Sequence, residues 1–241
     1  MIEMKALSKI ILFVIFTFTI SSCGKNETEL VEEGRNLMAT ESYAEAIKSF
    51  NKALSKNPNN YTALNAKGVA LLRIGQLEES VLTFDQAINV DSTDYRAFYN
   101  RSNTLRMLAN DNGAMVDLDR AIALQPNVAD LYINRGAILF KYGEFDRALF
   151  DFEFALRIEP QNALIFLNKG KAELRINNPD DAIFDLKKAI EINAEYAEAY
   201  YWLGLAELAR DNRTQGCQYL ASAESLAFEG ASDAIAQNCV Q

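Results

Sequence analysis

Residues 129–162 read ADLYINRGAILFKYGEFDRALFDFEFALRIEPQN, and the order of sizes along this stretch decides the fold. Small residues stand at Gly136, Ala148 and Ala155, bulky apolar ones at Tyr132, Leu139, Phe145 and Phe152, and Pro160 closes the unit. Counting back 34 residues gives Phe98, Ser102, Leu105, Ala114, Leu118, Ala121 and Pro126; counting forward gives Phe166, Gly170, Ala182, Leu186 and Ala189. A period this constant marks a stack of helical hairpins. Within the unit, two runs of about a dozen residues carry apolar positions at helical spacing. They meet at Tyr142-Gly143-Glu144, where the glycine accepts a turn conformation that other residues resist. Hairpins this short cannot bury their apolar stripes alone, so neighbours must stack. Gly136 and Ala148 let the two axes approach, while Phe152 and Tyr132 fill the space beside them.

These residues resemble the tetratricopeptide repeat, whose units carry an aromatic or Leu, then Gly, Leu, Ala, an aromatic, Ala and Pro in this order. The resemblance implies an all-α, right-handed α-solenoid of six helix-turn-helix repeats, at 27–60, 61–94, 95–128, 129–162, 163–196 and 197–230, with a capping helix at 231–241. The copies are not identical. Ser80 replaces the usual Ala, Ser102 stands in the Gly position, Glu173 stands where Leu is expected, and Gly216 takes an Ala position. Asn110-Asp111-Asn112-Gly113 reads as a loop.

Ahead of the repeats, Lys5 and Lys9 precede the apolar run Ile10 to Ile20, and small residues follow it. That is the pattern of an export signal over 1–22. Ile20-Ser21-Ser22-Cys23-Gly24 resembles the bacterial lipobox, which implies lipidation of Cys23 and leaves 23–26 as a short linker to the first repeat. More than one acyl chain, at about 0.8 kcal/mol per buried methylene, anchors stably. Gly at position 24 resembles the default route to the outer membrane, with the chain facing the periplasm; in an organism with one membrane the motif implies that membrane's outer leaflet. With Cys23 lipidated, Cys217 and Cys239 remain as an even pair in an oxidising space. Either they bridge, stapling the C-terminal cap, or they stay as two buried thiols.

Chemistry is sparse. The chain has no histidine, hence no histidine general base or triad, and no Gly-rich phosphate loop; its cysteines lack zinc spacing. We expect no catalytic residues, no metal, no cofactor and no small-molecule substrate. A net charge of -9 on an exported chain also argues against nucleic acid.

Charge placement says more. In repeats two to five the first 14 positions hold ten basic and two acidic residues, a net of +8, whereas the remaining positions net -13. In the tetratricopeptide family the first helices line the concave groove, which implies a positive trough facing an acidic protein or peptide segment. Arg101, Arg135 and Lys169 recur in step with Asp117, Asp151 and Asp185, so one ion pair per repeat is expected. Asn100, Asn134 and Asn168, with Tyr99 beside them, fall on the face that the family turns toward bound peptide, where an amide can both donate to and accept from an extended backbone. Arg73, Arg106, Lys141, Lys171 and Arg175, one or two turns on, can select acidic side chains or a terminal carboxylate. The asparagines serve equally well as helix-to-helix bonds.

The expectation is therefore a lipid-anchored envelope scaffold. Tetratricopeptide lipoproteins of this size also resemble pilotins and the lipoprotein of the barrel-assembly machinery, so an assembly factor stays open. So does an adaptor for a cell-wall enzyme.

Overall fold

A computed structural model describes residues 25–239; the export signal and Cys23 lie outside the described residues. Among those described there are thirteen helices and no strand. First helices α1 (Glu27–Ala39), α3 (Tyr61–Arg73), α5 (Tyr95–Met107), α7 (Ala129–Lys141), α9 (Ala163–Arg175) and α11 (Ala197–Ala209) alternate with second helices α2 (Tyr43–Lys56), α4 (Leu77–Val90), α6 (Asp111–Leu124), α8 (Phe145–Ile158), α10 (Pro179–Ile192) and α12 (Arg213–Ser225). The short helix α13 (Ala231–Asn238) closes the array. Each helix packs mainly on its neighbours in sequence, which makes the fold an all-α repeat solenoid.

Each hairpin turns in the same way. The residue after the first helix's C-cap is left-handed in all six: Glu41, Gly75, Ala109, Gly143, Asn177 and Asp211, with φ between 56° and 78°. The next residue's N–H then donates back to a carbonyl in the last turn, as Glu144 N does to Leu139 O at 2.9 Å and Asn178 N to Glu173 O at 2.9 Å. This is the Schellman closure, for which glycine is the low-cost residue. Only two repeats use it. In repeat 3 the turn falls on Ala109, and Asn110-Asp111-Asn112-Gly113 is not a loop: Asn110 caps α6, accepting from Gly113 N at 3.0 Å, and the next three residues form its first turn. A cap and a loop draw on the same residue types, which is why the stretch misleads.

The core repeats with the hairpins. Phe50, Phe84 and Phe152 are fully buried, each against the glycine that faces it. A Cβ on Gly34, Gly68 or Gly136 would stand 2.4, 2.6 or 2.6 Å from that ring. Leucine takes the ring's register in the other repeats, Leu118 where repeat 3 has Ser102, and Leu186 and Leu220 against Gly170 and Gly204. Ser80, in an alanine slot, is fully buried because its hydroxyl donates to Gly68 O at 2.8 Å.

Two features set the shape. First helices touch one another along the array, α1 with α3, α3 with α5, α7 with α9 and α9 with α11, and no comparable contact joins successive second helices. The row that crowds together lies inside the curve, so the first helices form the concave face. Second, packing of α7 on α6 is thinner than at every other junction between repeats, and α5 and α7 barely meet. At the far end, Cys217 on α12 and Cys239 at the end of α13 are joined as a disulfide, their Cα atoms 5.7 Å apart.

Candidate protein-binding groove

The expected ion pair is present in each central repeat and is buried at its acidic end. Arg101 holds Asp117 with two bonds, Nε to Oδ2 at 2.8 Å and Nη2 to Oδ1 at 2.6 Å. Arg135 holds Asp151 in the same way, at 2.9 and 2.7 Å, and Lys169 donates to Asp185 at 2.7 Å. Each arginine also reaches back to the preceding repeat, Arg101 to Asp85 and Arg135 to Asp119. Asp117 and Asp151 foremost hold these guanidinium groups above their ordinary pKa. All three cations therefore serve the fold.

Of the ten basic residues counted on the first helices of repeats two to five, only Arg73, Arg106 and Arg175 make no salt bridge. Lys67 pairs with Glu79, Arg96 with Asp94, Lys141 with Asp111 and Lys171 with Glu198, besides the three above. Lys141 and the Tyr142 hydroxyl both donate to Asp111, and the lysine holds that carboxyl below its usual range. Of the charges behind the net of +8, three guanidinium groups and one carboxylate, Asp130, are therefore left without a salt bridge.

The asparagine register falls on the concave row. Asn100 Nδ2 donates to Asn65 Oδ1 at 3.1 Å, bridging α5 to α3. Asn134 bridges α7 to α5: it accepts from Arg106 and donates to the Tyr99 hydroxyl at 3.4 Å. It also donates to Asp130 O at 3.0 Å. Asn168 is half-buried and its amide takes part in no comparable bond. Near the thin junction a cavity of about 420 Å³ opens between α5, α6 and α7, lined by Asn103, Arg106, Met107, Asp111 and Lys141.

The strongest cluster lies further along the same row. Lys171 and Arg175 on α9 stand over two aromatic rings, Phe140 on α7 and Trp202 on α11. Lys171 Nζ is 5.8 Å from the Phe140 centroid and 5.5 Å from that of Trp202; the Arg175 guanidinium is 6.0 and 5.8 Å away. Glu198 accepts from Lys171 at 2.7 Å and from Trp202 Nε1 at 3.3 Å. Arg175 is exposed and has no carboxylate, so its donors stay open between two apolar plates, an arrangement suited to a carboxylate. Sequence reading missed Phe140 and Trp202. The available signal was register: Trp202, the chain's single tryptophan, stands 34 residues beyond Asn168, where three repeats in succession carry asparagine.

Comparison with known proteins agrees with this architecture. Residues 31–97 and 129–162 match models described as Tetratricopeptide repeat, and residues 170–208 match one described as TPR repeat. A structure of MamA protein is similar with a TM-score of 0.63 at 26% identity, covering 71% of this chain and 94% of that one. PilW, described as a widely conserved type IV pilus biogenesis factor, gives 0.75 at 18% identity, over 87% of this chain and 98% of its own. YrrB, described as a TPR protein with an unusual peptide-binding site, gives 0.67 at 20%, over 77% and 96%. No curated protein sequence matches.

Proposed function

Because the chain belongs to the tetratricopeptide-repeat family, we propose that it is an interaction scaffold whose concave face holds an extended, acidic segment of another protein, and that lipid at Cys23 tethers it to the bacterial envelope, facing the periplasm of a two-membrane cell. The observation that carries the binding reading is Arg175, uncompensated and set between Phe140 and Trp202 on three adjacent first helices. Aromatic faces and a planar guanidinium are the side chains that concentrate binding energy in protein interfaces. Arg106, beside the cavity, and Arg73 give the same segment further carboxylate contacts. Asn168, whose amide makes no helix-to-helix bond within the array, offers it to the segment's backbone.

Affinity capture from the native envelope tests the groove. The wild type and an Arg175→Glu, Trp202→Ala double variant, matched by circular dichroism, are compared. Partners recovered by the first and lost by the second are expected; identical recovery overturns the reading. Metabolic labelling with a palmitate analogue tests the anchor separately, with label expected on the wild type and none on Cys23→Ser. An unlabelled wild type overturns it.

A second reading is an assembly factor for an outer-membrane complex. It is favoured by the nearly full mutual coverage with PilW, a likeness of fold alone. Captured ring or pore subunits would select it.

A further inference from the structure

The back of the array carries an apolar line that the groove does not use. Among the described residues, six large apolar side chains are more than half exposed: Leu82, Met107, Val116, Tyr142, Phe150 and Phe184. Four of them, Leu82 (61%), Val116 (69%), Phe150 (57%) and Phe184 (61%), occupy one register, 34 residues apart, on the outer faces of α4, α6, α8 and α10. The line stops at both ends, because the same register holds Lys48 in repeat 1 and Gln218 in repeat 6. Single exposed apolar residues are ordinary, but four in one register are a surface. The fold does not ask for them: Phe and Val are weaker helix formers than the polar residues that end the line.

The rim gives the partner's chemistry. One turn away on the same helices lie eight acids, Glu78, Glu79, Asp85, Asp119, Asp146, Glu153, Asp180 and Asp181. Against them stand four cations, Arg120, Arg147, Lys187 and Lys188, the last three paired with Glu144, Glu207 and Glu191. Four of the acids are drawn into ion pairs, Glu79 with Lys67, Asp85 with Arg101, Asp119 with Arg135 and Asp180 with Arg210. Glu78, Asp146, Glu153 and Asp181 are exposed and make no salt bridge, against a single such cation, Arg120. An apolar line bordered by spare carboxylates complements an apolar face bordered by lysine and arginine, and it repels anionic lipid headgroups.

We infer that the convex face is a second docking surface, which takes a basic amphipathic helix of another protein along Leu82, Val116, Phe150 and Phe184. The scaffold then joins two partners of opposite charge, an acidic one in front and a basic one behind.

The test uses the full chain and a fluorescein-labelled twenty-residue helical peptide with one leucine face and lysines elsewhere, read by anisotropy. The variant replaces all four residues with glutamine, which the fold already accepts at Gln218; circular dichroism and the melting curve confirm that it folds. The wild type is expected to bind, and the variant to bind about tenfold more weakly or worse. A glutamate version of the peptide should fail, added salt should weaken binding, and the Arg175→Glu, Trp202→Ala groove variant should bind as the wild type does. Four results overturn the proposal: no binding by the wild type, equal binding by the glutamine variant, equal binding of the glutamate peptide, or stripe-dependent self-association or vesicle flotation without peptide binding. The last assigns the surface to a second copy or to lipid.

Discussion

Repeat 4 and repeat 5 place a cation at one register, Arg135 and Lys169, and the two side chains do different amounts of joining. Arg135 forks onto Asp151 of its own hairpin and still reaches Asp119 of the one before, so a single residue ties two repeats. Lys169 pairs only within its own hairpin. It takes Asp185 at 2.7 Å, leans toward Glu173 at 3.5 Å, and makes no salt bridge to Glu153, the acid where repeat 3 has Asp119. With only one donor group nearby, burial wins at Asp185 and pushes its carboxyl above the ordinary aspartate value, Lys169 offsetting part of that. An array built from copies can thus vary the strength of one joint while the backbone stays the same.

The largest test of this contrast removes the acids in turn. Asp151→Asn leaves the Arg135 fork against a neutral amide, and we expect a loss of about 3–5 kcal/mol in chemical denaturation followed by circular dichroism. Asp185→Asn should cost less than half as much, because that carboxylate already bears an uncompensated burial cost and Lys169 retains Glu173. Equal losses would break the comparison.

Core packing gives the next effect. Gly136→Ser brings a side chain onto the Phe152 ring and should cost about 1–3 kcal/mol. Adding Phe152→Leu should recover part of it, since repeat 3 pairs Ser102 with Leu118. A double variant no better than the single one would mean that the backbone, not the ring, sets the spacing.

Acid then tests the burial cost at Asp185. A carboxyl whose folded pKa lies above its unfolded value binds its proton more tightly when folded, so the folded state gains as pH falls from Asp185's raised value toward the ordinary aspartate value of 3.8. In that window the denaturation midpoint of the wild type should rise relative to Asp185→Asn, and a gap that stays constant would count against the burial cost. Smallest of all, Lys169→Arg supplies a fork able to reach Glu153 as Arg135 reaches Asp119, for a gain of less than about 1 kcal/mol in the same assay.

Much of this was legible from register alone. The pairing of Gly136 with Phe152 follows from the order of sizes in one unit, and the link from Arg101 to Asp117 follows from two residue types recurring in step. Turns were legible only where glycine marks them. At Glu41 and Ala109 the hairpin imposes a left-handed conformation that the side chain does not announce. The groove was half readable. Its cations were found by position, yet their partners lie in other repeats, Asp111 for Lys141 and Glu198 for Lys171, and a charge count that treats each helix separately cannot see neutralisation across a junction. Trp202 was overlooked because it interrupts a pattern, and pattern reading rewards agreement.

The thin packing of α7 on α6 has a mechanical consequence. Stiffness in a stacked array is local, so bending is expected where packing is thinnest. There Leu131 and Ile138 share a buried cluster with Leu118 and Ala121, and polar bridges run beside it: Arg106 to Asn134, Asn134 to Tyr99, and Lys141 to Asp111. We expect the array to bend there first, between two three-repeat arms, and a ligand lying from Asn65 to Trp202 would cross that joint.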